Sequence, residues 1–415
     1  MDSEKTFESI PDDLFLEIFS RLSSILIARC RCVSKRWASI LYRKDFTELF
    51  LTKSSARPRL LFAVDKGFQF YFYSSPQSQN QSTLEVDFHT NVGVGINENL
   101  CSYESGLIHV HVTDLWLSKK SLCVICNPIT RRYVNLPELD KYKDSRSSLG
   151  FDPIDKQFKV LFMHNNGEWV HHVLTLGTED LRWRKIQCPF TYGHFGLAKC
   201  INGVLYYLAS TFGGSSGRIV CFDVRSEKFK FIDGKHFSST SYTDLINYKG
   251  KLGGVNLDYD CDRSCYCEMY LWVLEDVEKQ KWSRYDYSLP TTQTCHFRFD
   301  MHIAGMTATG EFVFAEFHTC SSKSFNVIYF NPEKNTLQSV NIQGLEGNNG
   351  YMYSRVNTFV DYIEDLSAND LKHITSKPRQ RRDTSRELSR SAPSTKNKQT
   401  RSFLQNKYEL LANLE

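Results

Sequence analysis

Residues 10–41 read IPDDLFLEIFSRLSSILIARCRCVSKRWASIL. Leu14, Ile18 and Leu22 recur at every fourth position, which places them on one face of a helix. Pro11 suits a first helical position, where no intrahelical partner waits for its missing N–H. Asp12 and Asp13 follow where the helix dipole favours negative charge. A second apolar set, Leu26, Ile27 and Val33, precedes Ser34, an N-cap for a third short helix carrying Trp37, Ile40 and Leu41. Three short helices within roughly 35 residues make too small a bundle to be stable alone. They also carry more apolar side chains than such a bundle can hide, so the stretch predicts a docking partner.

This stretch resembles an F-box, in the form that plant proteins join to an F-box-associated or kelch-like domain. The matching residues are Ile10-Pro11, Asp13-Leu14, Glu17-Ile18, Arg21-Leu22, Arg29, Arg31-Cys32-Val33-Ser34-Lys35 and Trp37. The resemblance implies a module that docks on a Skp-type adaptor and, through it, a cullin. Carried over by position, Ile10, Pro11, Leu14, Ile18, Leu22, Ile27, Val33 and Trp37 would form or support the adaptor-binding face. The sequence departs from the family pattern at Ser23, where Pro is usual. It departs again at Ile25 and Leu26, which replace a more polar pair, and at Cys30, which replaces Phe.

The whole chain has 415 residues, 41% hydrophobic and 13% aromatic, enough for a small module and one large globular domain. A formal net charge of +4 over this length does not advertise nucleic-acid binding. Residues 1–8 are acidic and polar, unlike a secretory signal, and no apolar run approaches the roughly 20 residues that span a bilayer. Thirteen cysteines without a regular framework suit a reducing compartment. The expectation is a soluble protein of the nucleus, the cytoplasm or both.

Residues 42–58 are basic and polar with Phe46, Leu49, Phe50 and Leu51 embedded, which predicts a connecting helix. From Leu60 onward, short runs of Val, Ile, Phe, Tyr and Trp alternate with Gly, Asn, Asp and Pro clusters, an all-β pattern. Asn202-Gly203, between two apolar runs, is a strong hairpin signal, and Lys249-Gly250 and Thr309-Gly310 read as related turns. One unit recurs: an apolar strand, a polar turn, and a second strand leaving through an aromatic or aliphatic residue. Its members are Tyr73-Ser74-Ser75-Pro76, Ile125-Cys126-Asn127-Pro128, Thr175-Leu176-Gly177-Thr178, Cys221-Phe222-Asp223-Val224, Val273-Leu274-Glu275-Asp276 and Tyr329-Phe330-Asn331-Pro332. Their third residues lie 52, 50, 46, 52 and 56 positions apart, the period of a kelch-type blade, and six units predict a six-bladed β-propeller. The fold class is thus mainly β with a small N-terminal all-α module. Residues 1–9 form a flexible start, 10–45 the F-box, 46–59 the connector and 60–366 the propeller.

Residues 367–402 hold ten Lys or Arg against three Asp or Glu, with few large apolar side chains, so they cannot offset their ordering entropy and should be disordered. Lys377-Pro378-Arg379-Gln380-Arg381-Arg382 reads either as an import or phosphate-binding patch or as a solvated tail. Residues 403–415 return at helical spacing, either a short docking helix or one that frays.

The sequence offers no catalytic centre, and no cofactor is expected. Cys261, Cys265, Cys267, Cys295 and His296 are the nearest approach to a zinc set, but their spacing does not supply two close pairs. Cys123 and Cys126 read as buried thiols. His171 and His172 sit in a strand pattern that points them to opposite sides. The expected role is a non-catalytic substrate-recognition subunit of an SCF-type (Skp–cullin–F-box) ubiquitin ligase, whose β domain binds an unknown target protein. Alternatives are an adaptor-bound scaffold without ligase activity, a propeller enzyme, or a nucleic-acid binder using the basic tail. The residues that bind a target are unknown from sequence; the loops worth watching, because length and composition look least constrained by strands, are Ser74 to Leu84, Thr211 to Arg218 and Asp258 to Cys267.

Overall fold

The computed structural model describes residues 11–66, 69–78, 81–93, 99–113, 121–139, 145–178, 180–189, 193–210, 216–238, 243–260, 266–290, 301–319, 324–345 and 354–366. The two C-terminal segments, 367–402 and 403–415, lie outside these residues. Four helices come first: α1 (Asp12–Phe19), α2 (Ser24–Cys30), α3 (Lys35–Leu41) and α4 (Lys44–Ser55). Among the described residues everything after α4 is strand, turn or loop.

The chain then lays down β1 (Arg59–Asp65), β2 (Gln69–Pro76), β3 (Thr83–Glu85) and β4 (Asp87–Gly93). Four antiparallel quartets follow in sequence order. They are β5 (Asn99–Glu104), β6 (Leu107–Thr113), β7 (Ser121–Asn127) and β8 (Arg132–Asn135); β9 (Ser145–Asp152), β10 (Gln157–Asn165), β11 (Trp169–Thr175) and β12 (Arg184–Ile186); β13 (Gly193–Ile201), β14 (Val204–Ser210), β15 (Ser216–Asp223) and β16 (Phe229–Ser238); and β17 (Thr243–Tyr248), β18 (Lys251–Asp260), β19 (Tyr266–Asp276) and β20 (Lys281–Ser288). The last strands are β21 (Met301–Met306), β22 (Phe312–Glu316), β23 (His318–Thr319), β24 (Phe325–Asn331), β25 (Thr336–Gln343) and β26 (Ser354–Tyr362).

These strands form six sheets, the blades of a β-propeller. Blades 2 to 5 are the four quartets. Blade 6 is β21-β22-β24-β25, and blade 1 takes its first strand, β26, from the end of the chain and β1, β2 and β4 from the beginning. Six apolar clusters fill the six seams, including the one between blades 6 and 1, where Phe62, Val64 and Val356 meet Val313, Val327 and Ile342. Each blade buries both faces, so the ring stands on six two-sided seams instead of one central core. A second tie crosses the 6–1 seam: β3 leaves blade 1 and pairs in parallel with β25, covering the outer edge of blade 6.

The repeated unit in the sequence is the end of the third strand of every blade, which in blades 2 to 6 opens the turn into the fourth. In four blades an Asn or Asp side chain folds this turn by accepting from the backbone N–H groups ahead of it. Asn127 Oδ1 accepts from Ile129 and Thr130 at 2.9 and 3.1 Å, and Asp223 Oδ1 from Ser226 at 2.6 Å. Asp276 Oδ1 does so from Glu278 and Lys279 at 2.8 and 2.9 Å, and Asn331 Oδ1 from Glu333 and Lys334 at 3.1 and 3.0 Å. Each turn then closes through one left-handed residue: Arg131, Glu227, Gln280 and Asn335. Between first and second strands, Ser105-Gly106, Asn202-Gly203 and Lys249-Gly250 all have positive φ, the two-residue turn that suits strand twist. All these tight turns fall on one side of the ring, here the turn face. The strand ends joined by the remaining connections lie on the other side, the connector face.

Candidate functional site

The helical module has a core of Phe15, Phe19, Ile27, Ile40, Leu41, Phe46 and Phe50. Trp37 packs edge-on against Phe15 and Phe19, with ring centroids 5.5 and 4.9 Å apart. Ser34 caps α3, its Oγ accepting from the Trp37 backbone N–H at 3.1 Å. Outside this core Leu14, Ile18, Leu26, Val33 and Tyr42 are each 40 to 64% exposed. Such a set of large apolar side chains around a satisfied core marks an interaction surface.

Of the side chains expected on this face, Pro11, Leu14, Ile18 and Val33 are exposed, and Ile10 lies outside the described residues. Leu22 and Trp37 are half-buried against the module's core. Ile27 is a correction: it is 0% exposed and belongs to the core alone. The reason for Leu22 is that α1 ends at Phe19, so the every-fourth-residue row stops after Ile18 and Leu22 folds inward. Phe15 and Phe19, one position on from Leu14 and Ile18, are the row that α1 turns inward. Leu26 and Tyr42 join the exposed set; both were legible only as apolar residues without a direction. The expected connector 46–59 also differs in kind, because Phe46 and Phe50 of α4 complete the same core.

The module meets the propeller on the turn face. Ile129, in the turn that ends the third strand of blade 2, packs against the module's core, and Leu366, just beyond β26, is buried within it. Glu364 is 4% exposed. Its carboxylate accepts from the Ser24 N–H at 3.2 Å and from the Ser24 hydroxyl, while its own N–H donates to Ser54 Oγ at 3.0 Å. Arg57 closes the other edge, donating to the carbonyls of Arg21 and Ser20 at 2.9 and 3.0 Å. At this joint opens a cleft of about 720 Å³ lined by Arg21, Arg57, Arg59 and Glu364 together with Glu311 and Asn331 of blade 6.

The first strands β26, β5, β9, β13, β17 and β21 line the ring's centre. β13 bulges between Phe195 and Lys199, with Gly196 at φ +75°, and Lys199 interacts electrostatically with Glu104, Asp244 and His302 of three other blades. Burial lowers the Lys199 pKa, and Glu104 and Asp244 oppose that shift. Burial raises Glu104 to about 7, with Ser105 and Lys199 easing it. It raises Asp244 to about 6, with the Ile303 N–H and Lys199 easing it. His302 is pushed down to about 3 by burial and by Arg355 and Lys199. No sequence spacing announced this cluster.

Two polar features read from sequence are structural. Cys123 and Cys126 are buried thiols raised to about 12 by burial. His171 and His172 do face opposite ways: His172 stacks on His164 at 5.4 Å, and His171 meets the edge of Phe229 at 5.3 Å. Cys261, Cys265, Cys295 and His296, with the side chain of Cys267, lie outside the described residues. Among the described residues no group of three or more His, Cys, Asp or Glu is arranged to hold a metal, and no helix is long and apolar enough to cross a membrane. The segment from Ser74 to Leu84, read as a loop little constrained by strands, has strand at both ends. Ser74 and Ser75 are buried near the turn-face end of β2, and Leu84 is buried on β3. Residues 211–215 and 261–265 lie outside the described residues, but the strand ends flanking them are on the connector face.

Residues 7–49 match the F-box domain, and residues 59–363 match the F-box associated beta propeller domain. This is an F-box protein. Its relatives include the putative F-box protein At1g33020 of Arabidopsis thaliana, 50% identical over 90% of this chain and 68% of that protein. The F-box protein At3g57590 of the same plant is 47% identical over 89% of this chain and 94% of its own length. F-box only protein 12, also from Arabidopsis thaliana, is 45% identical over 98% and 92%. The F-box match spans α4 up to Glu48-Leu49, consistent with α4 packing into the module's core.

Proposed function

We propose that this F-box protein is the substrate-receptor subunit of an SCF-type ubiquitin ligase. Its exposed helical face docks on a Skp-type adaptor, the adaptor joins it to a cullin, and the connector face of the propeller holds a target protein. The observation that carries this reading is the outward set Leu14, Ile18, Leu26, Val33 and Tyr42, none of which belongs to the module's buried core. The chain itself performs no chemistry in this scheme. Tethering raises the effective concentration of target lysines around a charged ubiquitin supplied by other subunits.

The joint on the turn face supports the geometry. A strand such as β10 has nine residues, so the ring is roughly 30 Å thick, and a target on the connector face sits that far from the helical module. We place the protein in the nucleus, the cytoplasm or both, where such adaptors act.

The test is co-purification of the full chain with a Skp-type adaptor, comparing wild type with Leu14→Ser/Ile18→Ser. These side chains point outward, so the double variant should keep its fold and lose the adaptor. Wild type that folds but binds no adaptor would overturn the ligase reading and leave a scaffold or an independent propeller as the alternative.

A further inference from the structure

The strand that closes the ring and the residues that complete the helical module are one continuous stretch. β26 supplies the first strand of blade 1, pairing with β1 from Asp65↔Arg355 to Arg59↔Tyr362. Two residues beyond Tyr362, Glu364 satisfies the N–H and hydroxyl of Ser24 and donates to Ser54; two residues further, Leu366 fills the core beside Phe15, Phe19 and Phe50. Asp361 fastens the same stretch to the turn face. Its carboxylate accepts from Gln77 Nε2 at 2.8 Å and the Ala308 N–H at 2.9 Å, and its N–H donates to Gln77 Oε1 at 2.9 Å.

Glu364 is an expensive choice for such a place. Its carboxylate is buried, no cation lies within 4.0 Å of it among the described residues, and the hydrogen bonds it accepts come from Ser24. An apolar side chain at a buried position is usually at least as stable as a hydrogen-bonded carboxyl group, so the carboxyl group here fits a role in fixing one arrangement. The arrangement it fixes joins the start of α2 to the end of β26. If β26 leaves the ring, Ser24 and Ser54 lose their partner, and the core loses Leu366.

We propose that Glu364 and Leu366 are positioning residues for adaptor docking, outside the F-box motif itself, and that through them only a closed propeller presents a working F-box. The docking half rests on the adaptor reading given above; the coupling between ring closure and the helical module is internal to the chain. Coupling between two sites is reciprocal, so an adaptor bound to the helices must also hold β26 in the ring.

The experiment uses the full chain and hydrogen exchange followed by mass spectrometry, with and without purified Skp-type adaptor. In wild type, saturating adaptor should slow exchange in β26 and β1 while leaving blades 3 and 4 unchanged. In Glu364→Ala and Leu366→Ser, exchange in α1 to α3 should rise, and adaptor affinity should fall about tenfold. Glu364→Gln, which keeps an acceptor for the Ser24 hydroxyl, should restore most of that loss. Unchanged exchange in the helices of well-folded variants would overturn the coupling, whether or not any adaptor binds. Unchanged exchange in β26 on adaptor binding would overturn it without any variant. If wild type binds no adaptor while the variants still loosen the helices, the coupling stands and the docking role falls.

Discussion

Glu104 is the place where the propeller's stability should respond to pH in an unusual direction. Its folded pKa is raised to about 7 from an ordinary 4.5 because it ends β5 inside the ring, where burial outweighs the help of Ser105 and Lys199. Between pH 4.5 and 7 the folded chain keeps a proton that the unfolded chain has released. Stability therefore falls as pH rises through that window, by about 3 kcal/mol in full. Buried histidines work the other way at lower pH. His89, His109 and His302 are held near 3, mainly by burial, so the unfolded chain takes up protons that the folded chain refuses, and stability rises with pH up to about 6.5. The melting curve of wild type alone sums these effects; comparison with Glu104→Gln isolates one of them. By differential scanning calorimetry the two proteins should melt within about 2 °C of each other at pH 5. At pH 8 the variant should melt roughly 5–10 °C higher, since about 3 kcal/mol moves a domain of this size by a few degrees per kcal/mol. A difference that stays constant from pH 5 to 8 would refute the reasoning, and so would a variant that melts lower at pH 8.

Three further outcomes are expected. Ser147 Oγ meets His109 Nε2 at 2.9 Å, His111 Nδ1 at 2.8 Å and Cys123 Sγ at 3.2 Å in the seam of blades 2 and 3, so Ser147→Ala should cost about 2–3 kcal/mol in urea unfolding. A Cβ on Gly254 would stand 2.4 Å from the Phe237 ring, so Gly254→Ala should cost about 1–3 kcal/mol; because Phe237 packs edge-on against Trp282, it should also shift Trp fluorescence. Leu84→Asp should release β3 from blade 6, destabilise the chain by about 2–5 kcal/mol and open the segment between β2 and β4 to limited proteolysis, with cleavage elsewhere unchanged.

What was legible in the sequence was whatever is decided locally. The period near fifty was readable because the turn from third to fourth strand needs an Asn or Asp to hold it and a residue that tolerates positive φ to close it, as at Asn127 and Arg131 or Asn331 and Asn335. Ser34 was readable as a cap for the same reason. The direction of Ile27 was not, because a seven-residue helix can turn an apolar row inward or outward until its neighbours are known. Partners far apart in the chain were also hidden. Nothing near residue 364 mentions Ser24, nothing near Thr83 mentions β25, and nothing near Lys199 mentions Glu104 or Asp244, which lie on other blades. The segment from Ser74 to Leu84 looked like a free loop because a three-residue strand has no period to detect.

The dependence of the helices on Leu366 has a consequence for a chain that leaves the ribosome from its N-terminus. α1 to α3 emerge long before Leu366, one of the side chains packed in their core, which is made more than three hundred residues later. Blades 2 to 5 are each built from one continuous stretch and can form in order as they appear, whereas blade 1 must wait for its last strand. The module at the front of the chain is thus the last to be finished. A nascent or prematurely terminated chain that stops short of Leu366 exposes these apolar residues without one of the side chains that packs their core, so α1 to α3 should reach their final packing only once β26 and Leu366 have been made.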